Sequence, residues 1–102
     1  MKYTVKTVEN QTEWDKFVTS HPDANFLQSW DFYEFYRSRG FDIVRRGIYY
    51  ENDQLVGVYA GEVEPAKRGR HLAVAGGPIF DWTNQEVKKL IFDDMKLQAK
   101  KL

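Results

Sequence analysis

Between Phe41 and Ala75 lie three runs rich in β-formers, joined by connections too short for a crossover helix, and this restricts the fold more than any other feature. The first run is Phe41 to Tyr50, carrying Ile43, Val44, Ile48, Tyr49 and Tyr50. The second, Gln54 to Val63, follows the polar turn Glu51-Asn52-Asp53. The third is the short apolar stretch His71 to Ala75, after the turn-forming, locally basic loop Glu64-Pro65-Ala66-Lys67-Arg68-Gly69-Arg70. Together they predict an antiparallel meander. Gly57 and Gly61 inside the second run predict bulges or the close approach of another backbone, and Gly76-Gly77-Pro78 predicts the end of the sheet.

Helical spacing surrounds the meander. A first strand, Tyr3 to Val8, is followed by Asn10 with Glu13 three residues on, the pattern of a capping box. Trp14, Phe17, Val18 and His21 then recur at helical spacing up to Pro22. After the loop Pro22 to Phe26, Ser29 can cap a second helix, about Trp30 to Arg39. It carries one aromatic stripe of Phe32, Tyr33, Phe35 and Tyr36 and is closed by Gly40. Thr83 with Glu86 predicts a second capping box ahead of Val87, Leu90, Ile91, Met95 and Leu102. Asp94 and Gln98 fall on the face of Leu90, Ile91 and Met95, so this helix either runs past a small core into water or meets a strand from elsewhere. The predicted order is β-α-α-β-β-β-α, an α+β fold without internal repeats.

Composition removes several function classes. Lys plus Arg and Asp plus Glu are both 15 in 102 residues, so the chain lacks the basic excess of a general polyanion binder. It has no Cys, which excludes disulfides, thiolate metal sites and thiol nucleophiles. His21 and His71 are the only histidines, and neither has a ligand partner at suitable spacing; no metal or cofactor is expected. No serine sits in a glycine-flanked elbow. The longest nearly apolar stretch, Leu72 to Phe80, falls far short of the roughly 20 residues that cross a bilayer. The start, Met1-Lys2-Tyr3-Thr4, has no apolar leader block, so a soluble cytoplasmic chain is expected. An aromatic share of 16% supplies enough area for one core.

Three motifs in order carry a more specific resemblance: Asn25-Phe26-Leu27-Gln28-Ser29-Trp30, then Gly40-Phe41, then Gly77-Pro78-Ile79-Phe80-Asp81. Over roughly Trp14 to Asp81 the chain resembles the N-terminal part of the Fem-type peptidoglycan aminoacyltransferases. The order of elements is similar to the first half of the acetyltransferase-like (GNAT) fold. The resemblance implies a single partial GNAT-like domain, 1–102, within a larger protein that transfers an amino acid from aminoacyl-tRNA to the amine of a peptidoglycan precursor peptide. It implies that the family's catalytic region lies beyond this chain. Gly76 stands where relatives often have Arg or Lys, and Glu34, Phe35 and Tyr36 occupy the stretch where relatives can carry a substrate-binding Lys.

Aminoacyl transfer to an amine needs polarisation, deprotonation and orientation rather than a side-chain nucleophile. The candidate substrate-binding residues are Gln28, Tyr36, Gly77 and Asp81, each with a plainer alternative. The Gln28 amide can meet a peptide or sugar, or bond a neighbouring backbone. Gly77 N–H can donate to a substrate, or the glycines can simply end a strand. Asp81 can take a substrate amine, or cap the next helix. Tyr36 can offer its ring and hydroxyl, or pack in the core. Lys67, Arg68 and Arg70 can contact tRNA phosphates, or sit in a solvated loop. Two other readings stay open: a fragment of an acyl-CoA-dependent N-acetyltransferase, and a non-catalytic module that forms a homodimer through an open sheet edge.

Overall fold

Along the strand Ile43–Tyr50, successive side chains point to opposite faces of a sheet, and both faces are covered. Val44 and Ile48 join one apolar layer, Ile43 and Tyr49 the other. The computed structural model describes residues 2–21, 28–51, 53–66, 69–74 and 77–101, with 64–66 and 69–71 described through their backbone only. Its elements are β1 (Tyr3–Thr7), α1 (Gln11–Ser20), α2 (Trp30–Ser38), β2 (Ile43–Tyr50), β3 (Leu55–Ala66), β4 (Gly69–Ala73), β5 (Ile79–Phe80) and α3 (Gln85–Lys100). The expected α+β order and antiparallel meander are both present: the sheet runs β1-β2-β3-β4, all antiparallel, with β5 also on β3.

Helices α1 and α2 pack on one face, around Trp14, Val18, Tyr33, Tyr49, Val58 and Ile79. Helix α3 packs on the other, where Val87 and Ile91 meet Ile48, Tyr59 and Phe80. Both expected alternatives occur: Gly61 marks the close approach of another backbone, while Gly57, crowded by side chains, sits beside a bulge. A Cβ at Gly57 would lie 2.9 Å from Ile91 Cδ1, beneath α3, and one at Gly61 would lie 2.7 Å from the Ala73 carbonyl. Next to Gly57 the β2–β3 register slips between Ile48 and Tyr49, which leaves Val56 as the extra residue of a bulge.

Helix ends follow local chemistry. Asn10 Oδ1 accepts from Glu13 N–H at 2.9 Å and caps α1, while the Glu13 carboxylate takes the Tyr49 hydroxyl instead of closing the box. Ser29 caps α2 by accepting from Phe32 N–H. Gly40, at φ 92°, ends the helix in the left-handed region that favours glycine. Phe41 N–H still bonds the Tyr36 carbonyl, so β2 starts at Ile43 rather than at Phe41.

Several boundaries differ from expectation. Strand β3 continues past Val63 to Ala66, because pairing with β4 extends to Ala66 opposite Gly69 and turns most of the expected Glu64–Arg70 loop into hairpin. Helix α3 is capped by Asn84, whose Oδ1 accepts from Val87 N–H, and not by Thr83, whose hydroxyl is held by Asp81. Gly77-Pro78, a cis peptide, interrupts the sheet without ending it: β5 rejoins β3 opposite Gly57 and Val58. Asp94 neither faces water nor awaits another strand. It is 7% exposed, receives Arg46 Nε and Nη2 at 3.0 and 3.2 Å, and accepts from the Tyr59 hydroxyl at 2.6 Å. Asp94 thus ties α3 to β2 and β3, whereas Gln98 on the same face makes no such tie: among the described residues its buried Nε2 has no hydrogen-bond partner. The expected loop Pro22–Phe26 and the strand end at Ala75 lie outside the described residues.

Candidate functional site

The strand β3 has one partner, β2, along one edge and two along the other: β5 at Gly57 and Val58, and β4 from Glu62 onward. Among the described residues no strand pairs with Tyr59–Gly61 on that second edge. Gln28 occupies the breach. Its Oε1 accepts from Ala60 N–H at 2.9 Å, its Nε2 donates to the Ala60 carbonyl at 3.3 Å, and Nε2 lies 3.3 Å from the Tyr33 hydroxyl. The side chain is 0% exposed. Its backbone is held from α1, since Trp14 Nε1 donates to the Gln28 carbonyl at 2.7 Å.

Gly77 lies directly against that amide. A Cβ at Gly77 would fall 2.6 Å from both Cδ and Oε1 of Gln28, a separation that real side chains do not tolerate. Two of the candidates, far apart in sequence, are therefore brought into contact. Beyond Gly77, Ile79 enters the core layer under α1 and α2, and Phe80 enters the layer under α3. This alternation fixes the direction in which the chain leaves the sheet at Asp81.

Asp81 is exposed and accepts from both the backbone N–H (2.9 Å) and the hydroxyl (2.6 Å) of Thr83. These hydrogen bonds, with a smaller contribution from His21, hold its carboxyl below the usual carboxylate range. Asp81 and His21 share the wall of a cleft of about 270 Å³ with Phe17, Gln54 and Asn84. Tyr36 is half-buried in an aromatic group, its ring 5.3 Å from Phe32, 6.0 Å from Tyr33 and 5.6 Å from Phe41. Tyr33 lies between it and Gln28, its ring beside Tyr36 and its hydroxyl 3.3 Å from Gln28 Nε2. Lys67 and Arg68 lie outside the described residues, as does the side chain of Arg70.

Sequence reasoning missed the charged groups inside the sheet. Arg45 is 4% exposed; its guanidinium stacks 3.5 Å from the Trp30 ring centroid, and Nη2 donates at 2.8 Å to both the Trp30 carbonyl and Glu34. Burial pushes Arg45 below its ordinary value, and the Glu34 carboxylate opposes that shift. Glu34, which stands where relatives can carry a substrate-binding Lys, thus faces Arg45 and Arg37. The only sequence signal for this was a pair of arginines in an otherwise β-forming run. Among the described residues no three His, Asp or Glu side chains cluster so as to hold a metal ion, and no helix is long and apolar enough to cross a membrane.

A crystal structure of FemX superposes with a TM-score of 0.81 and 22% identity, covering 98% of this chain and 24% of that one. At that identity the likeness is one of fold, and the chain spans about a quarter of the FemX length. No curated protein matches the chain in sequence. The family model described as the FemAB family matches residues 10–102, nearly the whole sequence and all three motifs, and the chain belongs to that family.

Proposed function

We propose that this chain forms the precursor-binding part of a Fem-type aminoacyltransferase, which moves an amino acid from aminoacyl-tRNA to the amine of a peptidoglycan precursor peptide. The observation that carries the reading is the contact between Gln28 and Gly77 within a chain matched by the FemAB model. Two motifs of the family resemblance meet at one point, where a side-chain-free backbone lies over a breach in the sheet. The single partial GNAT-like domain 1–102 then serves as one portion of a longer enzyme, consistent with its covering 24% of FemX. Catalytic groups are sought outside this portion.

Within this reading each candidate has a distinct role. Gly77 presents backbone to the peptide for main-chain hydrogen bonds, at a height over Gln28 that only a residue without a Cβ can take. Asp81, held ionised by Thr83, attracts the ammonium of the acceptor amine and keeps it near the turn before it loses its proton. Tyr36 braces the aromatic layer behind Gln28. Lys67, Arg68 and Arg70 serve tRNA phosphates, and their removal lowers both RNA affinity and its salt dependence. No nucleophilic side chain or cofactor is required, because orientation of amine and ester alone can contribute several kcal/mol. The reaction belongs in the cytoplasm, where aminoacyl-tRNA is found.

The test is amide NMR of the chain titrated separately with a nucleotide-linked muramoyl pentapeptide and with CoA. Shifts centred on Gly77 and Asp81 with the pentapeptide alone are expected. Shifts with CoA alone would replace this reading with the acetyltransferase one. A stable dimer by light scattering, with no response to either ligand, would favour pairing of two copies along the outer edge of β4.

A further inference from the structure

We propose that Gln28 is a positioning residue: its side-chain amide takes the place of a peptide unit in the sheet and so sets the Gly77 turn. The inference rests on the precursor-binding reading and goes further, since it assigns Gln28 an action through Gly77 rather than a contact with substrate.

A neighbouring antiparallel strand offers a residue such as Ala60 two hydrogen bonds, one to its N–H and one to its carbonyl. Between β4 and β5 no strand among the described residues pairs with Ala60, and the Gln28 amide makes both bonds. Few side chains can do so. The group needs an acceptor and a donor on one planar carbon, which a primary amide or a protonated carboxyl provides and an ionised carboxylate or an alkyl chain does not. Gln28 is wholly buried, so Ala60 has no water to turn to if the amide is removed.

The aim of the amide is fixed from both helices of that face. Trp14 on α1 holds the Gln28 carbonyl, and the next residue, Ser29, caps α2. Adjacent residues thus have separate tasks, one closing the sheet and one starting the helix. With the amide plane immobilised, the Gly77 backbone lies against it closely enough that even a methyl would collide with Cδ and Oε1. The height of the turn above the sheet is therefore set by the amide. Moving the amide moves the turn.

The test uses Gln28→Leu and Gln28→Glu beside the wild type, read by the Gly77 and Ala60 amide resonances and by affinity for the nucleotide-linked muramoyl pentapeptide. The introduced carboxyl starts from about 4.3 in the unfolded chain, and burial against the Ala60 carbonyl raises it in the fold. Protonated, it restores the donor and acceptor pair; ionised, it does not. Gln28→Leu is expected to weaken pentapeptide binding by about tenfold or more at a temperature where it is folded. Gln28→Glu is expected to bind weakly at pH 8 and to regain affinity, relative to wild type, as the pH falls to 5. A purely structural role would lower the thermal midpoint and leave the affinity of the folded fraction unchanged, so equal binding by all three proteins overturns the inference. Should the wild type itself ignore the pentapeptide, the precursor reading fails, and Gly77 decides the positioning claim separately. A Gly77 resonance that moves with pH only in Gln28→Glu upholds the claim; one that matches wild type throughout sinks it.

Discussion

Replacing Asp94 with Ala should be among the most damaging single changes in this chain, and its size can be worked out from the contacts it removes. Among the described residues Asp94 is the only partner of Arg46 Nε and Nη2, and it also accepts the Tyr59 hydroxyl. The side chains are largely out of water, at 18% exposure for Arg46 and 6% for Asp94. Removing one member of such a pair strands a charge, which costs about 3–5 kcal/mol. A domain of this length has roughly 5–15 kcal/mol of stability in all, and each kcal/mol is worth about 4–8 °C of melting temperature. The expected fall is therefore at least about 12 °C, with an unchanged urea m-value, read by circular dichroism. The companion protein carries Asp94→Leu, Arg46→Met and Tyr59→Phe together. It removes the stranded groups along with the pair and should recover to within about 1 kcal/mol of wild type, because the desolvation cost of the ions disappears too. An Asp94→Ala protein within about 0.5 kcal/mol of wild type would refute the stranded-charge reasoning. A triple variant no better than the single would show that packing, not charge, was lost.

Gly77→Ala should cost roughly 1–3 kcal/mol by overpacking against Gln28, measured as a drop in the urea midpoint, whereas a neutral result would contradict the close approach. Asn84→Ala should lower stability by about 1 kcal/mol through the lost α3 cap; an equal loss in Thr83→Ala would mean that the cap is misassigned. Burial, together with hydrogen bonds to Asp94 and Glu13, pushes the Tyr59 and Tyr49 hydroxyls well above the ordinary phenol value. Their stabilisation is full below about pH 10 and is lost as the pH rises from there, because the unfolded chain ionises first. Each phenol should contribute a slope of about 1.4 kcal/mol per pH unit in that window, and Tyr59→Phe should remove one share; an unchanged alkaline slope would count against it.

Much of the fold was legible because its signals are local. Trp14 and Val18 on α1, the aromatic stripe of α2, and the caps at Asn10, Ser29 and Gly40 lie within a turn or two of the features that explain them. The errors share a different cause. Thr83 and Asn84 are adjacent and both suited to capping; what decides between them is Asp81, which engages the Thr83 hydroxyl. Strand β5 spans only Ile79–Phe80, too short for any period to show. Pro65 argued against strand, yet it falls where β3 has run beyond β2 and pairs only with β4. The candidate site was half legible. Motif order placed Gln28 and Gly77 on the same short roll of residues, but the group that absorbs the Gln28 amide, Ala60, lies 32 residues away, and the Arg46 partner lies 48 away. Nothing in a window of sequence reveals such pairings. A charge within a β-forming run shows only that some partner is needed.

The claim joining the fold to the function is that a side-chain amide completes the sheet beneath Gly77. Hydrogen exchange at the Ala60 amide tests it most directly. With Gln28 in place, exchange should require an opening free energy close to that of global unfolding, and Gln28→Leu should accelerate it by orders of magnitude beyond any change in global stability. An Ala60 amide that exchanges in the wild type as quickly as the outward-facing amides of the edge strand β1 would contradict the account.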